Sequence, residues 1–334
     1  MRTLLPKLVE AIGPSGFENP IRELIQAETE AWADESWVDA MGNLYVRKRG
    51  DGSGKRIMVA AHMDEIGVIV TQIEDNGFVR FTSIGTLARK TLLGARVRFA
   101  NDAVGVISHD GGTLAEIIGP KLPDLHRWYI DVGATGRDDL PVQVGDVGVF
   151  AHPFVDLSRR VIVGGADDRL GCAVAIEALR RLQHSPHDVV MVFTVQEEIG
   201  ARGARVAAYH LQPDLALAID ITPTGDVPKS EMNMAVDLGK GPAIAVADTR
   251  MISHPRVREA LIAVARQNDI PYQVFVLTIG STDASTIEPT RAGVMAASLM
   301  VPCRYTHTPS ELADWDDIEN SVRLLVAFLH QTSW

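Results

Sequence analysis

At 334 residues, 46% hydrophobic and 22% charged, the chain is long enough for one large buried core and a second, smaller domain. A formal net charge of −11 at pH 7 argues against a nucleic-acid partner gripped by a basic face, and no apolar run is long enough to span a bilayer. Two cysteines, Cys172 and Cys303, exclude a disulfide framework, and Met1–Glu10 lacks the apolar core and cleavage site of a signal peptide, so the expected location is the cytoplasm.

Apolar residues at helical spacing predict helices over Leu4–Gly13 and Ile21–Trp32, separated by the turn Gly13-Pro-Ser-Gly-Phe-Glu18. Trp37–Arg47 reads as a strand pair broken at Met41-Gly-Asn43. Ile57–Ala61 is a continuous apolar run, the pattern of a strand covered on both faces, and it ends in His62-Met-Asp64-Glu65. From Val68 to Val161 the chain changes to short β-rich runs between turns such as Glu74-Asp-Asn-Gly77 and Val144-Gly-Asp146. Because the segments on either side look like parallel-sheet strands, residues 68–161 read as a small β-barrel-like domain inserted into an α/β domain of residues 1–67 and 162–334.

The α/β rhythm resumes with strand Val161–Val163, the turn Gly164-Gly-Ala-Asp167-Asp168, helix Leu170–Leu182, and strand Val189–Val195 ending in Gln196-Glu197-Glu198. A helix around Ala204–Tyr209 leads to strand Leu215–Ile219, which ends in Asp220. Val236–Val246 looks irregular to extended, Pro255–Asn268 helical and Gln273–Leu277 a strand; after the loop Gly280-Ser-Thr-Asp283 come strand Val294–Val301 and a closing helix, Ile318–His330. The expected class is α/β: a mixed, largely parallel sheet flanked by helices, carrying the inserted barrel-like unit.

Five apolar strands thus run out into polar residues: His62 with Asp64, Asp167 with Asp168, Glu197 with Glu198, Asp220, and Arg304 with His307. In open α/β sheets the ligand crevice lies beyond the carboxyl ends of the strands, so these groups can converge from distant parts of the chain. Each alone has an ordinary explanation. Asp167 can cap a helix from its turn, His62 can be a satisfied core residue, Glu197 and Glu198 an exposed pair, Asp220 a turn residue and His307 a surface histidine. Five such endings together point to a site. Two histidines and several carboxylates without a cysteine form a nitrogen and oxygen donor field suited to zinc, cobalt or manganese. Asp167 on its tight turn can offer two oxygens to two ions, and Asp64 can orient His62 from behind. Among the rest, His184 and His187 read as solvated loop residues, His109, His126 and His152 have no evident partner, Cys303 reads as a small buried residue, and Asp283 is ambiguous.

The chain resembles the M42 family of metallo-aminopeptidases, the tetrahedral (TET) and glutamyl aminopeptidase group of the dizinc exopeptidase superfamily. The resemblance rests on Gly13-Pro-Ser-Gly-Phe-Glu18, Ala61-His-Met-Asp-Glu-Ile-Gly67, Ala166-Asp-Asp-Arg-Leu-Gly-Cys172, Val195-Gln-Glu-Glu-Ile-Gly200 with Arg202-Gly-Ala204, Ile219-Asp220 with Gly225-Asp226, and Pro302-Cys-Arg-Tyr-Thr-His307. It implies one metal on His62, Asp167 and Asp220, a second on Asp167, Glu198 and His307, Glu197 as general base, Asp64 as the partner of His62, and a cis peptide bond after Asp167. It also implies that the β-rich insert mediates dimer contacts and substrate access, and that the chain forms a homo-oligomer, a dimer or a hollow tetrahedral dodecamer. Relatives typically read Gly-Gly-Thr-Asp-Ala-Gly where this chain has Gly280-Ser281-Thr-Asp-Ala-Ser285, so the preferred substrate side chain is not inherited.

The expected reaction is removal of N-terminal residues from short peptides, by a water bridging two metal ions and deprotonated by Glu197. Two rivals stand beside it: a dinuclear deacylase of small N-acyl compounds on the same scaffold, and a non-catalytic protein that retains the fold.

Overall fold

The computed structural model describes residues 1–111, 119, 122–151, 154–230 and 234–332. Helices α1 (Leu5–Glu10) and α2 (Asn19–Thr29) open the chain, each with a proline in its first turn, where a missing N–H costs nothing. Strands β1 (Glu35–Val38), β2 (Leu44–Lys48) and β3 (Arg56–His62) follow. The next six, β4 (Gly67–Ile73), β5 (Val79–Ile84), β6 (Arg96–Phe99), β7 (Val104–His109), β8 (Trp128–Asp131) and β9 (Val147–Phe150), close into an antiparallel barrel in the order β4-β5-β8-β7-β6-β9. Inward residues, among them Val70, Phe81, Phe99, Ile107 and Trp128, give the barrel a core of its own.

The chain returns through β10 (Val155–Asp156) and β11 (Arg160–Val163) to helix α3 (Ala166–Arg181), β12 (Asp188–Thr194), α4 (Arg202–Leu211), β13 (Leu215–Pro223), β14 (Ala243–Ala247), α5 (Pro255–Gln267), β15 (Gln273–Val276), α6 (Ala284–Ile287), β16 (Met295–Arg304), β17 (Glu311–Asp314) and α7 (Trp315–Leu329). These strands and β1–β3 form one eleven-stranded sheet, ordered β1-β2-β12-β3-β13-β16-β17-β11-β10 with β14 and β15 to one side. Its centre, β12, β3, β13 and β16, is parallel.

Alternation along the central strands decides which helix covers which face. Ile57, Val59, Val189, Met191, Phe193, Leu217 and Leu299 point to the face that carries α1, α2, α3, α5 and α7. Most of the intervening residues, among them Ala60, Val190, Ala216, Ala218 and Ala296, are small, and α4 meets them with Ala204, Ala207 and Ala208. Small residues on both surfaces let helix and sheet approach closely.

Several boundaries differ from the sequence reading for local reasons. The closing helix starts at Trp315 because Asp314 caps it, its Oδ1 accepting from the Asp316 N–H at 3.0 Å. Strand β13 continues past Asp220 to Pro223 because it stays paired with β16 as far as Cys303. His187 is buried rather than solvated: its Nδ1 accepts from the Lys55 N–H at 3.0 Å and its Nε2 lies 2.8 Å from the Gln331 carbonyl. His109 is buried against the Trp128 ring, and His152 lies outside the described residues. Among the described residues no helix is long and apolar enough to cross a membrane.

The end of β16 is tied to the segment after β13 by an ion pair, Arg304 with Asp226, and Asp226 also accepts from the Leu238 N–H at 3.1 Å. Burial alone would raise the Asp226 carboxyl, but the Arg304 guanidinium holds it down at about 2. A carboxyl depressed in the folded state stabilises above its unfolded pKa of about 4 and loses that contribution as pH falls toward 2. Arg304→Ala should therefore destabilise by about 1–3 kcal/mol at pH 6 and by much less at pH 2.5. Denaturant titrations at the two pH values check this, and equal losses would show that the pair is not the source.

Candidate metal centre and active site

Strand β17 is antiparallel to both β16 and β11, so β11 runs with β3, β12, β13 and β16 and all five carboxyl ends reach one edge of the sheet. His62 is the last residue of β3, level with Thr194 of β12. Glu197 and Glu198 follow β12, Asp220 lies within β13, Asp167 follows β11 and His307 follows β16. The five expected endings do meet.

At the start of α3, Asp167 and Asp168 are joined by a cis peptide bond and both have non-helical backbone angles. Asp168 serves as the cap: its Oδ1 accepts from the Gly171 N–H at 2.9 Å. Glycine is required at 171, because a Cβ there would stand 2.3 Å from the Asp168 carboxylate. Asp167 is thereby left free to face the cleft. His62 Nε2 lies 2.9 Å from its Oδ1 and His307 Nε2 3.3 Å from its Oδ2. Both rings are aimed by backbone carbonyls, His62 Nδ1 by Asp64 O at 3.1 Å and His307 Nδ1 by Thr86 O at 2.9 Å. A carbonyl only accepts, so Nδ1 carries the proton in each ring and Nε2 is the atom presented to Asp167.

Behind this row lies a supporting layer. Asp64 sits behind His62, its Oδ1 3.5 Å from Nδ1, yet its closer contacts are elsewhere: it accepts from Ser15 Oγ at 2.6 Å and from the N–H groups of Glu197 and Glu198 at 3.0 and 3.2 Å. Glu18 accepts from the Gln196 N–H at 3.2 Å, so the Gly13–Glu18 turn braces the Gln196–Glu198 segment from the other side. Glu311, absent from the sequence reading, accepts from the N–H of His307 at 3.0 Å and of Asp167 at 3.4 Å. Asp283 is buried and accepts from Thr194 Oγ1 at 2.5 Å.

The charge balance is lopsided. Burial would raise the Asp167 carboxyl, but the His307 and His62 imidazoles hold it well below the usual carboxylate range. The others go the opposite way. Burial and the Asp167 charge push Glu198 and Glu311 each up to about 8; burial and neighbouring carboxylates raise Glu197 and Asp220 as well. Among the described residues, Glu198 Oε1 and Asp168 Oδ2 are buried without a hydrogen-bond partner. Ligand atoms of His62, Asp168 and Asp220 lie within 4.8 Å of one another, and so do those of His62, Asp167 and Glu198. Crowded, underpartnered carboxylates beside two imidazole nitrogens fit divalent cations with nitrogen and oxygen ligands.

A cavity of about 610 Å³ opens over this group; Asp167, Glu197, Glu198, Asp220 and His307 line one side, and Ile221, Leu277 and Met300 contribute an apolar wall. Ser281 and Ser285 line it too. Ser281 Oγ donates to Asp248 Oδ1 at 3.0 Å and Thr249 Oγ1 to the Gly280 carbonyl at 2.5 Å, so the loop departure is built into a braced pocket wall.

The profile of the M42 glutamyl aminopeptidase family matches residues 42–324. The chain belongs to this family. It is an aminopeptidase by that membership, and its relatives agree in sequence and fold. The lysyl aminopeptidase of Pyrococcus furiosus is 35% identical over 98% of this chain and 96% of its own. The structure of an aminopeptidase from Desulfurococcus kamchatkensis superposes with a TM-score of 0.94 at 38% identity, covering 99% of this chain and 94% of that one. The TET1 peptidase of Pyrococcus horikoshii, described as assembling into a tetrahedron or a large octahedral shell, has a TM-score of 0.88 at 33% identity and covers 99% of both chains.

Glu311 gives this M42 site a test independent of the residues read from sequence. Glu311→Ala removes the acceptor shared by the Asp167 and His307 amides, and such supporting groups are worth about 10–100-fold in metal affinity. Zinc titration of the metal-free variant should show that loss with the far-UV spectrum unchanged; wild-type affinity would mean that Glu311 supports only the backbone.

Proposed function

We propose that this aminopeptidase works with two divalent cations, one held by His62, Asp167 and Asp220 and the other by Asp167, Glu198 and His307. The observation that carries the reading is a single carboxylate with an imidazole Nε2 at each oxygen. Asp168 also lies beside His62 and Asp220, but one of its oxygens is committed to Gly171, which favours Asp167 as the shared ligand. Zinc or cobalt suits the donor set best, with manganese next. Cations in these positions supply Lewis acidity, which acidifies water and polarises an amide carbonyl.

Glu197 is the general base. It lines the cavity beside the proposed ligand Glu198, and the Asp64 carboxylate fixes its backbone through the hydrogen bond at 3.0 Å. Burial and the nearby Asp283 and Glu198 charges raise its proton affinity, which matches a group that takes a proton from water and then gives it to an amine. As the water oxygen adds to the scissile carbonyl, Glu197 removes its proton; as the C–N bond breaks, Glu197 delivers that proton to the leaving nitrogen. The products are a free amino acid and a peptide shortened by one residue.

Short peptides are the substrate class. The family description names a glutamyl enzyme and one relative is a lysyl enzyme, so preference among N-terminal residues belongs to each chain's own pocket wall. Both cysteines are buried and free, in keeping with a reducing cytoplasm. The barrel, with Val104 and Val106 exposed on β7, is the surface proposed for self-association and for control of access to the cleft.

Two experiments test this reading. Zinc- or cobalt-loaded enzyme should hydrolyse amino-acyl chromogenic amides, and a Glu197→Gln variant should lose about 10²–10⁴-fold in kcat with metal content unchanged, whereas His62→Ala and His307→Ala lower metal content. Undiminished turnover by the Gln variant would remove Glu197 from its role, and preference for N-acylated amino acids over free-N-terminus peptides would favour the deacylase instead. Multi-angle light scattering should find a particle larger than the 36.3 kDa chain, a dimer or a dodecamer; a monomer at working concentration overturns the proposed assembly.

A further inference from the structure

The two histidines are aimed by carbonyls from different parts of the molecule. His62 takes its partner, Asp64 O, from two residues along its own segment, and Asp64 is in turn held by Ser15 of the N-terminal turn. His307 takes its partner, Thr86 O, from the connection that leaves β5 of the barrel. The adjoining Gly85 is hemmed in by Glu198, the other ligand proposed for the same position. Its φ is +73°, and a Cβ built on it would stand 3.1 Å from Glu198 Oε2, 3.2 Å from Glu198 Cβ and 3.0 Å from Ile66 Cγ2. Of the two consecutive residues after β5, Thr86 thus holds the His307 ring and Gly85 leaves no room for a side chain beside Glu198.

We propose that the barrel completes one of the two cation positions: the Gly85–Thr86 turn is a positioning element for His307 and Glu198, while the position around His62 is built without it. The proposal rests on reading His307 and Glu198 as ligands. His307 has little else to orient its ring. It lies in the loop after β16 with φ +59°, and Glu311 holds its backbone N–H rather than its imidazole. If the Thr86 carbonyl is displaced, Nδ1 loses its acceptor and Nε2 is no longer fixed toward Asp167. The Thr86 carbonyl is in turn located by β5, paired along its length with β4 and at its start with β8. The Gly85–Thr86 turn therefore enters the affinity of the second position, whereas the carbonyl that aims His62 comes from its own segment.

A glycine-to-alanine pair separates this effect from backbone strain. Gly85→Ala adds a Cβ against Glu198. Gly133→Ala, in the same barrel at φ +76°, meets nothing within 4 Å and carries the same left-handed penalty. Metal-free protein is titrated with Zn²⁺ by calorimetry, and bound ions are counted by mass spectrometry. Wild type and Gly133→Ala should bind two ions per chain with equal affinities, and Gly85→Ala should keep the first while binding the second at least about tenfold more weakly. Unchanged binding by Gly85→Ala, or an equal loss in Gly133→Ala, overturns the proposal. A His307→Ala variant that still binds two ions tightly would instead overturn the underlying ligand reading. Hydrogen exchange on the wild type needs no variant: occupation of the second position should slow exchange at Ile84–Thr86 and occupation of the first should not. Absence of that step overturns the proposal even if Gly85→Ala does not fold.

Discussion

Everything in the cleft is arranged around one carboxylate whose two oxygens face two imidazoles. Asp167 can play that part because its neighbour takes over the ordinary duty of the segment. A helix beginning at a glycine-rich turn needs its first amides satisfied, and Asp168 supplies the acceptor for Gly171. With the cap provided by the next residue, Asp167 is free of the backbone and both its oxygens remain for His62 and His307. Its own amide is steadied by Glu311, the residue that also holds the His307 amide, so the shared carboxylate and one of its partners hang from a single buried side chain.

A sheet with a heavy face and a light face makes this cleft possible. Five helices press on the side where Ile57, Met191, Phe193, Leu217 and Leu299 project, and burial there fixes the strand register, since a slip by one residue would exchange the two faces. The side under α4 is mostly alanine and valine, and α6 packs there as well. The loop leading into α6 carries Ser281 to the cavity wall and Asp283 to Thr194 beneath Glu197. Choice of small core residues is thus a choice about the shape of the pocket.

Much of this was legible in the chain because strand chemistry is local. Continuous apolar runs announced buried parallel strands, and the residues that ended them were the ones that converged. The inserted barrel was visible as a change of period after Val68, but its last strand ends at Phe150, and Val155–Asp156, read as part of the insert, pairs in the main sheet instead. What escaped was of two kinds. Short edge strands such as β17, four residues long, leave too little pattern to register, and Glu311 was lost with it. Supporting contacts escaped because they join backbone to side chain across large separations: nothing in Thr86 marks its carbonyl as the partner of a histidine 221 residues away. His187 was misjudged because its Ser-Pro surroundings look like a loop, although the loop folds under the C-terminal segment and buries the ring.

Asp64 explains why the proposed base and the proposed ligands are not independent parts. It stands behind His62, and its two oxygens accept from the consecutive amides of Glu197 and Glu198. A carboxylate that accepts two backbone N–H groups and a serine hydroxyl stays ionised at neutral pH; burial opposes this, but His62 and these donors outweigh it and lower its pKa. The same negative charge that fixes the Glu197–Glu198 turn therefore also favours the Nδ1–H form of His62, which leaves Nε2 for the cleft. A shift of the N-terminal turn would move Ser15, then Asp64, and then Glu197, Glu198 and His62 together. The Gly13–Glu18 turn, though no residue of it lines the cavity, thus supports the proposed base and ligands as directly as the strand ends do.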